Sequence, residues 1–539
     1  MKAMPGNGGK APPIHPLWVS LTSILVGACL VGAAELAARR LYPQDDATNA
    51  QYIFESSGPF FQLKETGGRR EFVQIPRHHW FPRPQGFALT KPPGLRRIVV
   101  IGESSALLLG DALKTRVNEL ALSHRLEIIN MAVSGSDLEQ TMRRFREALE
   151  CRPDDIVVLF GHNLFNMHQP MVELSSWPEI DGFRLFLLSH SRLLSLFAEH
   201  QQSRMPRVEF RTPGRWLAFQ EALSRMADEA RCRGIRLVLC TVPGNLRYPP
   251  NPKDQGRWNP AFLEANYLYW SGRKQAAMRE CAQALARQHS AWWEFQLGGW
   301  LDRAGRYGAA RHWLAMSRDD NPDQSRASSA VNGLIRRLAR EKGLILLDFE
   351  RLVSRADSHG IPGWKIFQDN QHTNFPICLR EASECIRRLA GIDPDSLGTV
   401  PDYGRTCKTI CPEVVANLST KGRAVLRAGI SCLAQARLPE LIASGEDATR
   451  AASGNPATQA VILSGMAEAF WEAGLRERAL RLNDAARGLA PRDAELCVQK
   501  ALFLIDSGAK DDAAGWLERA LQLRPDHAEA RFYLDRIKN

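Results

Sequence analysis

The sequence predicts an α/β protein with an all-helical appendage. Its main part is a three-layer α/β/α domain, a parallel sheet with helices on both faces, interrupted by an inserted helical hairpin and followed by an all-α C-terminal domain of repeats. Three observations predict this. Short, largely apolar runs recur at 98–101 (Ile-Val-Val-Ile), 128–129, 156–160, 235–239 and 344–347, and the four β-branched residues in a row at 98–101 suit a strand buried on both faces. Helical patterns at 138–149, 216–233 and 331–342 alternate with them, as in parallel sheets joined by helical crossovers. Near the C-terminus, Gly474 and Gly508, Ala479 and Ala513, Ala486 and Ala520, and Pro491 and Pro525 are each 34 positions apart. A fixed period of that size marks stacked helical pairs.

Taken in order, residues 1–16 are rich in Gly and Pro, and residues 17–34 form an eighteen-residue run without a charge. That is about the shortest length that spans a bilayer. Trp18 at one end and Arg39-Arg40 at the other suit the two interfaces. A buried soluble helix and a cleaved leader are the rival readings, and the apolar length favours an uncleaved anchor. Lys2, Lys10 and the amino terminus balance Arg39 and Arg40, so charge does not set the orientation. A short tail before a single anchor places the bulk of the chain outside the cytoplasm, in a periplasm-like compartment. Residues 41–95 connect, and their short apolar stretches are expected to add strands to the edge of the next domain. His78 and His79 there read as packing or surface residues, because neighbours on a strand face opposite ways. The α/β domain covers 96–392, with the helical insertion at about 245–325, where Gly305, Ala310 and Pro322 fall at the offsets of Gly474, Ala479 and Pro491. This reads as a third, isolated repeat-like hairpin. Residues 393–455 form a linker and helical segment, and 456–539 hold the repeats with a capping helix from Ala528.

The chain has 539 residues, too many for one core. Its 70 Lys and Arg against 59 Asp and Glu give a net charge of +11, thinly spread. No basic run is interleaved with aromatics, which argues against nucleic-acid binding. The eleven cysteines are scattered and odd in number, which is not a disulfide framework. Cys407, Cys411 and Cys432 offer no complete four-ligand metal set, and no cofactor is called for.

Four segments carry chemistry. Residues 98–105 run from a buried strand through Gly102 and Glu103 into Ser104 and Ser105. Residues 130–137, Asn-Met-Ala-Val-Ser-Gly-Ser-Asp, supply a loop glycine, Gly135. Residues 156–163 end on Gly161, His162 and Asn163. Downstream, Asp369 and His372 stand three apart, near enough in a turn for the carboxylate to orient the imidazole. The carboxyl edge of an open α/β sheet is where such loops hold ligands.

In order and in strand context, these segments resemble the four blocks of the SGNH (GDSL-like) hydrolase family over roughly 96–240 and 326–390, and the 34-residue period resembles tetratricopeptide repeats. The first resemblance implies acyl transfer through a serine ester. Ser104 would be the nucleophile, His372 the base and Asp369 its orienting acid, with an oxyanion hole of the Ser104 and Gly135 N–H groups and the Asn163 amide. An ester-bearing glycan or lipid is the implied substrate, at a membrane. Hydrolase and O-acyltransferase remain open. A non-catalytic scaffold on the same fold, binding a protein partner through the repeats, is the alternative. Two departures stand out: Glu103 replaces the usual Asp, and Leu164 follows Asn163 where an acidic residue is common, which leaves the bracing of that loop unaccounted for.

Overall fold

The computed structural model describes residues 16–41, 60–66, 69–74, 86–165, 191, 213–250, 258–321, 326–397 and 455–539. The chain divides into two units. The first contributes one described helix, α1 (Pro16–Leu41), on which Arg39 pairs with Glu35 one turn earlier. The expected anchor at 17–34 falls on this helix, whose first ten side chains lie outside the described residues. Among the described residues no helix is long and apolar enough to cross a membrane.

The second unit begins with β1 (Phe61–Thr66), β2 (Arg69–Gln74) and β3 (Gly86–Ala88), which form an antiparallel sheet of their own. This corrects the expectation that the connecting segment extends the main sheet. Phe61, Phe72 and Phe87 explain the separation, since their rings cluster at 5.0 to 6.4 Å and give the small sheet its own apolar face. Buried Arg97 fastens it to the larger domain, lying over the Phe87 ring and donating to the Ala88 carbonyl at 2.6 Å. The positions of His78 and His79 lie outside the described residues.

The main sheet contains β4 (Arg96–Gly102), β5 (Leu126–Asn130), β6 (Asp155–Leu159), β7 (Arg236–Cys240) and β8 (Ile345–Leu347), all parallel, in the order β5-β4-β6-β7-β8. Residues 98–101 of β4 are fully buried, as their unbroken apolar sequence requires. The chain leaves β4 for β5 on one side, then passes back across β4 to β6. Right-handed crossovers put the two intervening helices, α2 (Ser104–Glu119) and α3 (Leu138–Glu150), on opposite faces. With α3 pack α4 (Pro213–Cys232) and, beyond it, the later helix Ser329–Lys342; with α2 packs the helix Phe375–Ala390. The sheet is thus the middle of three layers.

The insertion holds two helical pairs where the sequence suggested one: α5 (Pro260–Trp270) with α6 (Lys274–Arg287), and α7 (Ala291–Arg303) with α8 (Tyr307–Asp320). Then follow the layer helices α9 (Ser329–Lys342), α10 (Phe349–Ala356) and α11 (Phe375–Ala390). The C-terminal part repeats the pairing in α12 (Pro456–Glu472) with α13 (Arg476–Leu489) and α14 (Ala494–Asp506) with α15 (Lys510–Leu523), closed by α16 (Ala528–Lys538). Each pair turns on a glycine in the left-handed region, Gly272, Gly305, Gly474 or Gly508, with φ of 72° to 82°.

The insertion is not isolated. Its first helix, α5, lies against α14 and α16, where Tyr267 meets Tyr533, Trp270 meets Phe503, and Asn266 donates to the Tyr533 hydroxyl. Both helical parts share one apolar core. The aromatic run 267–270 makes the difference, because a lone pair of helices leaves those rings in water and docking on the C-terminal helices buries them. Cys407, Cys411 and Cys432 lie outside the described residues, as does most of 393–455. The described cysteines are free thiols.

Candidate active site

Strand β4 is the point where the chain reverses its direction across the sheet, so the loops after β5, β4 and β6 emerge side by side at one carboxyl edge. Gly102 ends β4 with φ of 139°, and a Cβ there would stand 2.0 Å from the Leu159 carbonyl oxygen. Only glycine lets β4 and β6 run this close to the turn. Glu103 is the N-cap of α2, and Ser104 is its first residue, half-buried at the positive end of a sixteen-residue helix.

From the far end of the domain, the turn 367–373 brings Asp369 and His372 to the same edge. Asp369 Oδ1 accepts from the backbone N–H of Gln371 at 2.8 Å and of His372 at 2.7 Å, and its Oδ2 meets His372 Nδ1 at 2.6 Å. His372 Nε2 is 2.6 Å from Ser104 Oγ. With a proton on Nδ1 directed at the carboxylate, Nε2 is left to accept from the hydroxyl. Helices α2 and α11 explain why residues 268 positions apart meet. They pack together, Arg116 Nε of α2 donating to Ser383 Oγ of α11, and His372 stands just before Asn374, the α11 N-cap. Ser105 is excluded from this chain of bonds, its Oγ being buried without a hydrogen-bond partner among the described residues.

Electrostatics follow the same geometry. Burial works against the charge on Asp369, but the hydrogen bonds and positive charge of His372 hold its carboxyl below the ordinary value. Burial likewise works against a charged His372, and it is outweighed by Asp369, with a further contribution from Glu103, so the imidazole is raised above 6.5.

Glu103 answers the question left by Leu164. Its fully buried carboxylate accepts from the backbone N–H groups of Gly161 (3.2 Å), His162 (2.8 Å) and Asn163 (2.9 Å). The loop after β6 is therefore braced from the nucleophile's own turn, and Leu164 is free to be a buried apolar residue. Burial pushes the Glu103 carboxyl up to about 7, against the pull of those three bonds. Asn163 Nδ2 in turn donates to the Ser136 carbonyl at 3.2 Å, tying its amide to the loop that carries Gly135. His162 faces inward. Its Nδ1 accepts from the Ala327 N–H, and burial, with the charge of His372, pushes it down to about 3, so it is neutral.

Sequence reasoning missed Asn245. It is fully buried, its Nδ2 donates to the Asp369 carbonyl at 2.9 Å, its backbone N–H donates to the Asn370 carbonyl, and its own carbonyl accepts from buried Arg326. The only sequence signal was a side-chain amide at the end of the loop that follows β7. The structure thus brings Ser104, His372 and Asp369 into one hydrogen-bonded chain, and ties Asn163 to the residue after Gly135.

Among solved structures, the chain is similar to a GDSL-like lipase from Bacteroides thetaiotaomicron, at 10% identity and a TM-score of 0.27, over 56% of this chain and 88% of that one. It is also similar to LAE5, an alpha/beta hydrolase enzyme from the metagenome of Lake Arreo in Spain, at 12% identity and a TM-score of 0.26, over 58% and 99% of the two chains. No protein-family model matches the chain, and no curated protein matches it.

Proposed function

We propose that the protein is a serine ester hydrolase of SGNH type. One observation carries this reading: the unbroken relay from Ser104 Oγ to His372 Nε2 and from His372 Nδ1 to Asp369 Oδ2, each link 2.6 Å long. In this reading Ser104 Oγ attacks an ester carbonyl while His372 takes the hydroxyl proton, and Asp369 stabilises the imidazolium. The oxyanion is held by the Ser104 and Gly135 N–H groups and the Asn163 amide. Collapse breaks the bond to the leaving alkoxide, which takes its proton from His372. Water, deprotonated by the same imidazole, then attacks the acyl-serine and frees the acid.

The remaining expectations belong to the same proposal. The substrate is an ester on a glycan or lipid, and the uncharged run 17–34 anchors the chain so that the α/β domain works outside the cytoplasm. The helical pairs, with turns 34 positions apart at Gly474 and Gly508, are tetratricopeptide-like and hold a protein partner.

A fluorophosphonate probe tests the catalytic core. The wild-type chain should be labelled at Ser104; labelling and hydrolysis of p-nitrophenyl esters should vanish in Ser104→Ala and persist in Ser105→Ala. A folded wild type that takes no label sinks the proposal.

A further inference from the structure

Away from the serine relay, three side chains converge where the two inserted helical pairs join. His289 lies in the connection between α6 and α7, Glu294 in the first turn of α7, and Asp320 is the last residue of α8. One atom from each, His289 Nδ1 and a carboxylate oxygen from each acid, all lie within 4.8 Å of one another. His289 Nδ1 is 3.1 Å from Glu294 Oε1 and 3.4 Å from Asp320 Oδ2. In a tetrahedron with metal–ligand bonds of about 2.0 to 2.1 Å, neighbouring ligand atoms are about 3.3 to 3.4 Å apart, so the two spacings from His289 Nδ1 are close to those of a zinc site.

Hydrogen bonding serves this cluster only in part, although Glu294 and Asp320 also bond to each other. Nδ1 carries at most one hydrogen, and two carboxylates approach it. Glu294 is fully buried, and its second oxygen, Oε2, has no hydrogen-bond partner among the described residues. A buried carboxylate oxygen left unpaired is costly, whereas a cation satisfies both acids at once. His289 is 66% exposed on its side chain, so a metal can enter and keep a water at the fourth position.

We propose that His289, Glu294 and Asp320 bind a divalent cation of the zinc class, which clamps the start of α7 to the end of α8. It is a structural staple, separate from the serine relay. Neither the family resemblance nor the serine chemistry requires it.

The test is calorimetric titration of chelator-treated full chain with zinc chloride, with X-ray absorption on the loaded protein. The result expected is one saturable site, a higher unfolding temperature with zinc, and a first shell of nitrogen and oxygen near 2.0 to 2.1 Å without sulfur near 2.3 Å. His289→Ala and Asp320→Asn should each weaken binding by more than about tenfold, since even outer-shell losses reach that size. No saturable binding overturns the proposal, as does a sulfur shell, which would place the ion on cysteines. Unchanged affinity in the variants overturns it as well. Should a variant misfold by circular dichroism, the absorption spectrum of the wild type decides alone.

Discussion

The rim of the sheet and the helical array are held by different forces. At the rim, the positions of loops are set by buried polar groups reaching across the sequence. Glu103 holds the backbone of Gly161, His162 and Asn163, 58 to 60 positions on, and Asn245 holds Asp369, 124 positions on. Asn332 takes up both polar groups of the Val242 backbone. In the array, contacts are mainly apolar, with buried polar bonds such as those joining Ser464, Asn483 and Gln499 set among them. Ala310, Ala479, Ala513 and Ala520 are fully buried where helices approach closely, and aromatic rings such as Trp471 and Phe503 stack at 4.4 Å. Polar pins fix geometry to a few tenths of an ångström, while apolar packing supplies most of the free energy of burial. Activity should therefore be fragile at the rim, and stability fragile in the array.

The largest effect that would sharpen this contrast is at Asn163. Asn163→Ala removes one oxyanion donor and should lower kcat by roughly 10^2 to 10^3. The unfolding midpoint should move far less than kcat, because the variant loses the one bond to the Ser136 carbonyl while the backbone bonds to Glu103 are untouched. A large drop in midpoint with little loss of kcat would reverse the assignment. Phe503→Ala is the counterpart in the array. Phe503 is fully buried between Trp471 and Trp270, and its truncation should cost about 3 to 5 kcal/mol of stability by urea unfolding. Steady-state kcat of the folded fraction should stay unchanged. A matching fall in kcat would mean that the array transmits strain to the rim and the two regions are not independent.

The same contrast decides what could be read from the sequence. Strand β4 was legible because burial on both faces demands an unbroken apolar run at 98–101, and the helical pairs of α12 to α15 were legible because stacking repeats its small residues every 34 positions. The order of Ser104, Gly135, Asn163, Asp369 and His372 was legible as a pattern, though their convergence depends on strand order, which no local signal encodes. Asn245 and the bracing role of Glu103 were hidden because a single buried polar residue has no periodicity, and its partner lies scores of positions away. The pair α5 and α6 escaped for another reason. Its turn glycine, Gly272, stands 33 positions before Gly305, and its aromatic face answers to α14 and α16, not to a repeat of itself. The small antiparallel sheet was mistaken for edge strands because its three phenylalanines are equally compatible with either.

The smallest effect, and the one that most finely separates the two regions, is in the pH dependence. His372 is held above 6.5 by Asp369 and Glu103, and it must be neutral to take the Ser104 proton. The rate constant kcat/KM should therefore rise with pH through a midpoint above 6.5, about tenfold per unit on the acidic side. Stability at the rim should run the other way. The folded state binds a proton on Glu103 up to about pH 7, against an ordinary value of 4.5, so its contribution is present at low pH and is lost as pH rises from about 4.5 to 7. The raised imidazole adds in the same sense, its share being lost above 6.5. Glu381, buried behind the same turn and pushed up to about 8, extends the decline further. Asp369 is depressed, so what it contributes is lost only below its ordinary value of 3.8, outside this window. His162 works the other way below 6.5: its folded value is pushed down to about 3, so the unfolded imidazole takes up a proton there that the folded one does not. Urea midpoints at pH 5, 6, 7 and 8 should thus fall as activity climbs, less steeply from pH 5 to 6 than from pH 6 to 7. Glu103→Gln should flatten part of that fall and shift the activity midpoint slightly down, because the charge that favours the imidazolium is gone. If the midpoint keeps its position in Glu103→Gln while the stability slope is also unchanged, then Glu103 is not ionising beside His372, and the rim is held by geometry without the charge.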